Sequence, residues 1–254
     1  MSTEVLQRRF NEIGAHLQVQ DGPWRGVPRI DVLGSTFDVR FGRGRESVEL
    51  EVVDVKPHDR HLLLLTRVDG EKSKFLCGHD ERHWFVAAIP EAARGVTGVA
   101  DAKAALQPDI VRASLGRVRP KDRLRRRNAV FVRQGEWFFV PAPNVAVDDR
   151  GVVRNEPLAR AGGTPHVLQF AFRRGGRTVY VRRGNTRSLT PAQFGRLSPT
   201  ERRHWSPMTA DPELYAKGTV RHPDHATILL RSWHRVVMNT EAGARAMRFV
   251  TFVD

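Results

Sequence analysis

The chain has 254 residues, 40% of them hydrophobic, and sets 42 lysines and arginines against 28 aspartates and glutamates for a formal net charge of +14. This is apolar material enough for a self-supporting core in one large or two small domains, and the charge favours polyanionic partners, nucleic acid first. One cysteine excludes an internal disulfide, no apolar run approaches the roughly 18 residues of a membrane span, and the charged N-terminal stretch lacks a signal-peptide core, so a cytoplasmic protein without membrane contact is expected.

Thr3 opens an amphipathic helix with Val5, Phe10, Ile13 and Leu17 roughly on one face. A meander follows. PRIDVLGSTFDVRF reads as two strands joined at Gly34-Ser35, SVELEVVDV alternates, RHLLLLTRV is a more fully buried strand, and SKFLC and HWFVAAI complete the series. So many short strands predict a small bent sheet or partial barrel. GRGR at residues 42–45 has no helix pattern after it and lacks the Gly-Lys-Ser/Thr ending of a phosphate loop, which argues against nucleotide hydrolysis.

FLCGHDERHWFVA, residues 75–87, surrounds the single cysteine with ionisable groups. With Gly78 to Glu81 as a loop between two strands, Cys77, His79, Asp80, Glu81, Arg82 and His83 gather at one end of the sheet. Cys77, His79 and His83 are the candidate catalytic residues, because a histidine beside a thiol lowers its pKa for nucleophilic attack. The spacing is not that of a zinc finger or ribbon, which needs a second cysteine, and a buried structural cysteine at a strand end is the plainer reading.

Residues 96–128 change character, with helix formers, prolines and a dense arginine run, RPKDRLRRRN. They read as a basic helical connector between an N-terminal helix-plus-meander unit, 1–95, and a β-rich unit, 129–254. On a helix, Arg123, Arg126 and Arg127 share a face, repel one another and are best relieved by phosphates. AVFVRQGEWFFVP is expected as a hairpin turning at Gln134-Gly135, with Arg133 facing Glu136 and apolar residues on both faces. VDDRGVVRNEPLARAGGTP is the most loop-like stretch. HVLQFAFRRGGRTVYVRR then predicts a hairpin at Gly175-Gly176 that pairs Phe172 with Val179 and places Gln169, Ala171, Arg173, Thr178, Tyr180 and Arg182 on the outer face. Arginines beside an exposed ring suit single-stranded nucleic acid through phosphate contacts and base stacking.

LSPTERRHWSPMTADPELYAKG reads as a structural helix or turn pair pinned by Trp205, Met208, Leu214 and Tyr215. In KGTVRHPDHATILLRSWHRVVMN a Pro223-Asp224 turn puts His222 opposite His225, with Asp224 close by and His234 further on. Opposed imidazoles suit a divalent metal such as zinc, and Asp224, Cys77 and His79 are the further candidate ligands.

The expectation is therefore an α+β protein, mostly antiparallel β-sheet, with an N-terminal helix and a basic helical connector. Its expected activity is binding RNA or single-stranded DNA through Arg123, Arg125, Arg126, Arg127, Arg133, Arg173, Tyr180 and Arg182. No helix-turn-helix or zinc module for duplex readout is visible. A metal-dependent hydrolase, a nuclease among others, using the cysteine and histidines is the second reading, and a basic protein-interaction module the third.

Overall fold

Ser2 starts the first helix, its side chain accepting from the Val5 N–H, and α1 runs Thr3–Asn11. Leu6 and Phe10 turn inward while Val5 stays exposed, so the buried stripe is shifted from the one predicted. Ile13 and Leu17 reach the same core from beyond the helix, because Gly14, at φ 79°, reverses the chain. The computed structural model describes residues 2–25, 29–43, 47–159, 164–184 and 187–243.

The strands β1 (His16–Arg25), β2 (Arg29–Leu33) and β3 (Thr36–Arg43) form a three-stranded sheet in the order β1-β3-β2, with β1 and β3 parallel. The β2–β3 turn is at Gly34-Ser35, as expected. Of GRGR, residues 44 and 45 lie outside the described residues. The antiparallel meander β4 (Val48–Lys56), β5 (His61–Val68), β6 (Glu71–Asp80) and β7 (His83–Ala88) packs one face against this sheet and α1. Leu62 and Leu64 point into that layer, whereas Leu63 points to the opposite one, beneath α2 (Val99–Ala105), which explains the unbroken leucine run of β5. Asp54 Oδ2 accepts from the Val99 N–H at 2.8 Å, so a strand side chain caps α2. The predicted loop at Gly78 to Glu81 is corrected: β6 continues through Asp80, and Glu81-Arg82 alone make the turn.

The connector holds α2, α3 (Asp109–Ser114) and two single 3-10 turns, Leu115–Arg117 and Pro120–Asp122. Residues 123–128 are turns and bends with an isolated antiparallel bridge from Arg127 to Val132, so Arg123, Arg126 and Arg127 do not share a helical face. Pro120 opens the second 3-10 turn and Asp122 draws Arg119 and Arg125 to itself, which replaces helix propagation with local side-chain pairing.

The larger sheet follows the order β10-β11-β14-β15-β9-β8, built from β8 (Val132–Gln134), β9 (Trp137–Pro141), β10 (Val152–Leu158), β11 (His166–Arg174), β14 (Glu213–His222) and β15 (His225–Met238). Phe139, Leu168, Ala171, Ala216, Val220 and Leu230 fill one face; Phe131 and Phe138 face the other, with Val111 of α3. Three expectations change here. The β8–β9 turn is Gly135-Glu136, one residue later than predicted, since Gln134 pairs with Trp137. The loop-like stretch contains β10, an edge strand whose Pro157 needs no ladder partner on its outer side.

The third change concerns Gly175-Gly176, which does not make a hairpin. Both sides of β11 are taken, by β10 and β14, and β12 (Arg177–Val181) pairs instead with β13 (Ser206–Ala210) in a separate ribbon. A Cβ on Gly176 would stand 2.8 Å from the Ala210 carbonyl oxygen, so the chain crosses into the ribbon at a point only glycine can occupy. The short helices α4 (Pro191–Gly195) and α5 (Pro199–Arg202) connect the two ribbon strands. Met208 is exposed and pins nothing, whereas Leu214 and Tyr215 pack on the sheet. The chain is thus mostly antiparallel β, 50% strand and 19% helix, with no closed barrel among the described residues. None of its described helices is long and apolar enough to cross a membrane.

Candidate metal centre and basic arm

The β14–β15 hairpin places His222 in register with His225 across the Pro223-Asp224 turn. On the other side of β14, Val167 pairs with Arg221, so His166 at the start of β11 comes beside His222. The imidazoles therefore form one row over three neighbouring strand ends, on one face of the sheet. Their ring centroids are 4.3 Å (His166 to His222) and 4.8 Å (His222 to His225) apart, and one nitrogen from each of the three lies within 4.8 Å of the others.

Two of the rings have distinct polar partners. His222 Nε2 donates to the Thr164 carbonyl at 3.0 Å, and its Nδ1 accepts from the Asp224 N–H at 3.1 Å. His225 Nδ1 lies 3.3 Å from Glu81 Oε2. His166 Nε2 is buried without a hydrogen-bond partner. Burial, reinforced by the two neighbouring imidazoles, lowers the pKa of His166 to about 3; burial and then His222 also lower that of His225, against the pull of Glu81. Both rings are neutral at pH 7 and keep a lone pair for a ligand. Above them the β8–β9 turn brings Gly135, at φ 56°, so close that a Cβ there would stand 3.1 Å from His225 Nε2 and 3.4 Å from His166 Nε2.

The tip of the β6–β7 hairpin reaches this row. Glu81, at φ 51° in the left-handed region, accepts from the Ala226 N–H at 2.8 Å and pairs with Arg126. Asp80 pairs with Arg126 and, at 3.0 Å, with Arg133. His83 Nε2 lies 3.0 Å from Asp224 Oδ1. The segment around the cysteine and the His222–His225 turn thus meet through Glu81 and His83, but Cys77 and His79 do not join the row. Cys77 is fully buried in the core between Leu62 and Val86 of the flanking strands, and burial pushes its thiol pKa far up, the reverse of an activated nucleophile. His79 is half-buried, its ring edge-on to Trp84 at 5.0 Å, and burial with the Arg60 charge lowers its pKa. His234 Nδ1 hydrogen-bonds the Ser232 carbonyl in its own strand.

The expected arginine surface is largely consumed inside the molecule. Arg126 and Arg133 are committed to Asp80 and Glu81. Arg123 Nε donates to the Val118 carbonyl, Arg125 pairs with Asp122, and Arg173 pairs with Glu156. Arg127 is exposed. The single outer face expected for Arg173, Tyr180 and Arg182 is not formed, because Arg173 is on β11 and Tyr180 on the separate ribbon; Ala171 of that face is fully buried.

That ribbon carries the charge instead. Between residues 177 and 210 there are seven arginines, one glutamate, and no lysine or aspartate. All seven are exposed. Arg182, Arg183, Arg196 and Arg203 make no salt bridge with any described residue, while Arg177 pairs with Asp211 just outside the segment. Tyr180 and Phe194, both half-buried, stack with centroids 3.6 Å apart, and the Arg202 guanidinium lies 5.6 Å from the Phe194 ring on the arm's surface.

Sequence reasoning missed His166, the parts that Glu81 and Gly135 play beside the histidine row, and every arginine of the arm except Arg182. A glycine two residues after Arg133 and a histidine opening an apolar strand carry no local signal for each other. Only the pairing of β11 with β14 brings His166 in, whereas a count of acidic residues along 177–210 exposes the arm directly. No protein-family model matches the chain, and no match is found among curated proteins or among solved structures.

Proposed function

We propose that this protein binds nucleic acid, single-stranded RNA or DNA, through the arm formed by β12, α4, α5 and β13. The observation that carries this reading is the net of six positive charges in residues 177–210, all on exposed arginines. An isolated cluster of this kind repels itself, and four of its members make no salt bridge with any described residue, so phosphates are the groups best able to relieve it. Several arginines elsewhere, Arg126, Arg133 and Arg173 among them, are matched by carboxylates, whereas the 34 residues of the arm carry six of the chain's fourteen net positive charges.

Single strands are preferred for two reasons. The stacked Tyr180–Phe194 pair with Arg202 beside it offers a platform edge next to the charges, the combination that serves unstacked bases. The arm's helices have five and four residues, too short for a recognition helix in a major groove. A two-stranded ribbon can itself enter a major groove, and duplex binding is the competing outcome.

Ultraviolet cross-linking to labelled single-stranded RNA and DNA, followed by peptide mass mapping, tests this assignment. Cross-linked peptides are expected within residues 177–210, at Tyr180 and Phe194 in particular. Cross-links confined to residues 119–133 would return the interface to the connector, and preferential cross-linking of duplex would replace the single-strand reading.

A further inference from the structure

We infer that His166, His222 and His225 form a binding site for a divalent transition-metal ion of the zinc class. Independent of the arm, the inference rests on the row of strand ends, on the second nitrogens of the rings and on the space above them.

Metal-ligating histidines are usually oriented by a hydrogen bond from the nitrogen that does not bind the metal, to a backbone carbonyl or a carboxylate. One of the three rings makes such a bond, and a second has a carboxylate beside it. His222 Nε2 donates to the Thr164 carbonyl, which leaves Nδ1 as its ligand atom; His225 Nδ1 faces Glu81, which leaves Nε2. His166 supplies the third nitrogen, Nε2, which is buried and unpartnered. Both Nε2 atoms face the hydrogen of Gly135, where any larger residue would place a carbon in the cradle. The glycine thus preserves room for an ion at the one point where the β8–β9 turn closes over the rings.

The ligand set fixes the class of ion. Three imidazoles without a ligating carboxylate suit zinc, cobalt, nickel or copper and disfavour calcium and magnesium, which prefer oxygen. Metal–nitrogen bonds of about 2.0–2.1 Å put nitrogens of a tetrahedral site roughly 3.4 Å apart. The present separations, within 4.8 Å, require the widest pair of nitrogens to close in by roughly 1.4 Å, through rotations at the ends of the side chains. His222 Nδ1 exchanges its bond from the Asp224 N–H for the metal. Three protein ligands leave the fourth position of the ion to a water.

The test uses the full chain, stripped with a chelator and titrated with zinc and with cobalt(II). The expected result is one ion per chain, with cobalt giving the strong visible absorption of a tetrahedral nitrogen site. His166→Ala should weaken binding by more than about 100-fold and abolish that absorption, while His58→Ala, at an exposed histidine, leaves both unchanged. Circular dichroism checks that the variant is folded; if His166→Ala fails to fold, His225→Gln takes its place with the same expectation. No binding at micromolar zinc, or binding and a cobalt spectrum that survive in the folded triad variant, would overturn the site.

Discussion

Glycine 135 shows how a single residue can be required twice. Its φ of 56° is costly for any residue with a Cβ, and the Cβ itself would press on two imidazole nitrogens. Gly135→Ala is expected to lower stability by about 1–2 kcal/mol from the backbone alone, read as a fall in denaturant midpoint; an unchanged midpoint would mean the turn relaxes freely. Cys77 is the opposite case, conspicuous in sequence and inert in the fold. Its thiol is expected to resist an aromatic disulfide reagent until the protein is unfolded, and rapid labelling of the native chain would show that the β5–β6–β7 core opens readily.

His61 adds an acid-sensitive element away from the histidine row. Burial, with the Lys103 charge behind it, lowers its pKa from 6.5 to about 4, against the pull of its bond to the Asp59 carbonyl. The unfolded chain therefore takes up a proton below pH 6.5 that the native state refuses until about pH 4, so stability falls through that window as pH falls and is fully present above it. Between about pH 7.5 and 4.5 this one group should remove roughly 2–3 kcal/mol. Denaturant titrations of wild type and His61→Gln at the two pH values should show a smaller acid loss in the variant, and equal losses would assign the sensitivity elsewhere. His61 packs against Gly78, where a Cβ would come within 3 Å of the ring, and nothing in the local sequence signals that contact.

At the level of elements, the sequence was legible wherever one turn and its two flanking strands decide the matter. The β2–β3 and β14–β15 hairpins fall where Gly34-Ser35 and Pro223-Asp224 put them. It misled where a strand had a better partner far away in the chain. Gly175-Gly176 has the composition of a hairpin turn, yet β14 competes for the same edge of β11 and offers Leu214, Tyr215 and Ala216 opposite Arg173, Phe172 and Ala171. Long-range apolar pairing outweighs local turn preference. The site itself divides along the same line: the His222–His225 opposition is local and readable, while His166, Glu81 and Gly135 arrive from three other hairpins or strands.

Two element-scale outcomes follow. Gly176→Val should disturb the seating of the ribbon on Thr209 and Ala210, and limited proteolysis is expected to nick residues 177–210 sooner while the main sheet persists; an unaltered cleavage pattern would contradict the crossing point. Glu81 ties the β6–β7 turn to Arg126 and to the Ala226 N–H, so Glu81→Ala should cost about 2 kcal/mol. A double-mutant cycle with Arg126→Ala should recover part of that loss, and strict additivity would show that the two do not interact.

Across the whole molecule, the excess of charge is not spread evenly. The connector looked like the binding element because its arginines are consecutive, but Asp80, Glu81 and Asp122 fold onto them and turn them into a brace between the β6–β7 hairpin and the larger sheet. The arm has one glutamate for seven arginines, and four of those arginines make no salt bridge with any described residue. Runs of like charge therefore mark a surface only when no carboxylates reach them in three dimensions, and the pairing that decides this spans some 45 residues of sequence between Glu81 and Arg126.

Fluorescence anisotropy of a labelled single-stranded oligonucleotide, followed from about 50 to 200 mM salt, tests that distribution most directly. Wild type and the variant with Arg182, Arg183, Arg196 and Arg203 all changed to Gln would be compared. Each phosphate contact on a single strand contributes about 0.7 to the slope of log affinity against log salt, so four contacts add nearly 3, or roughly a 50-fold loss over that range. The account predicts that this salt-dependent component disappears in the variant while folding is retained. Equal affinity and equal slope in the two proteins would contradict it.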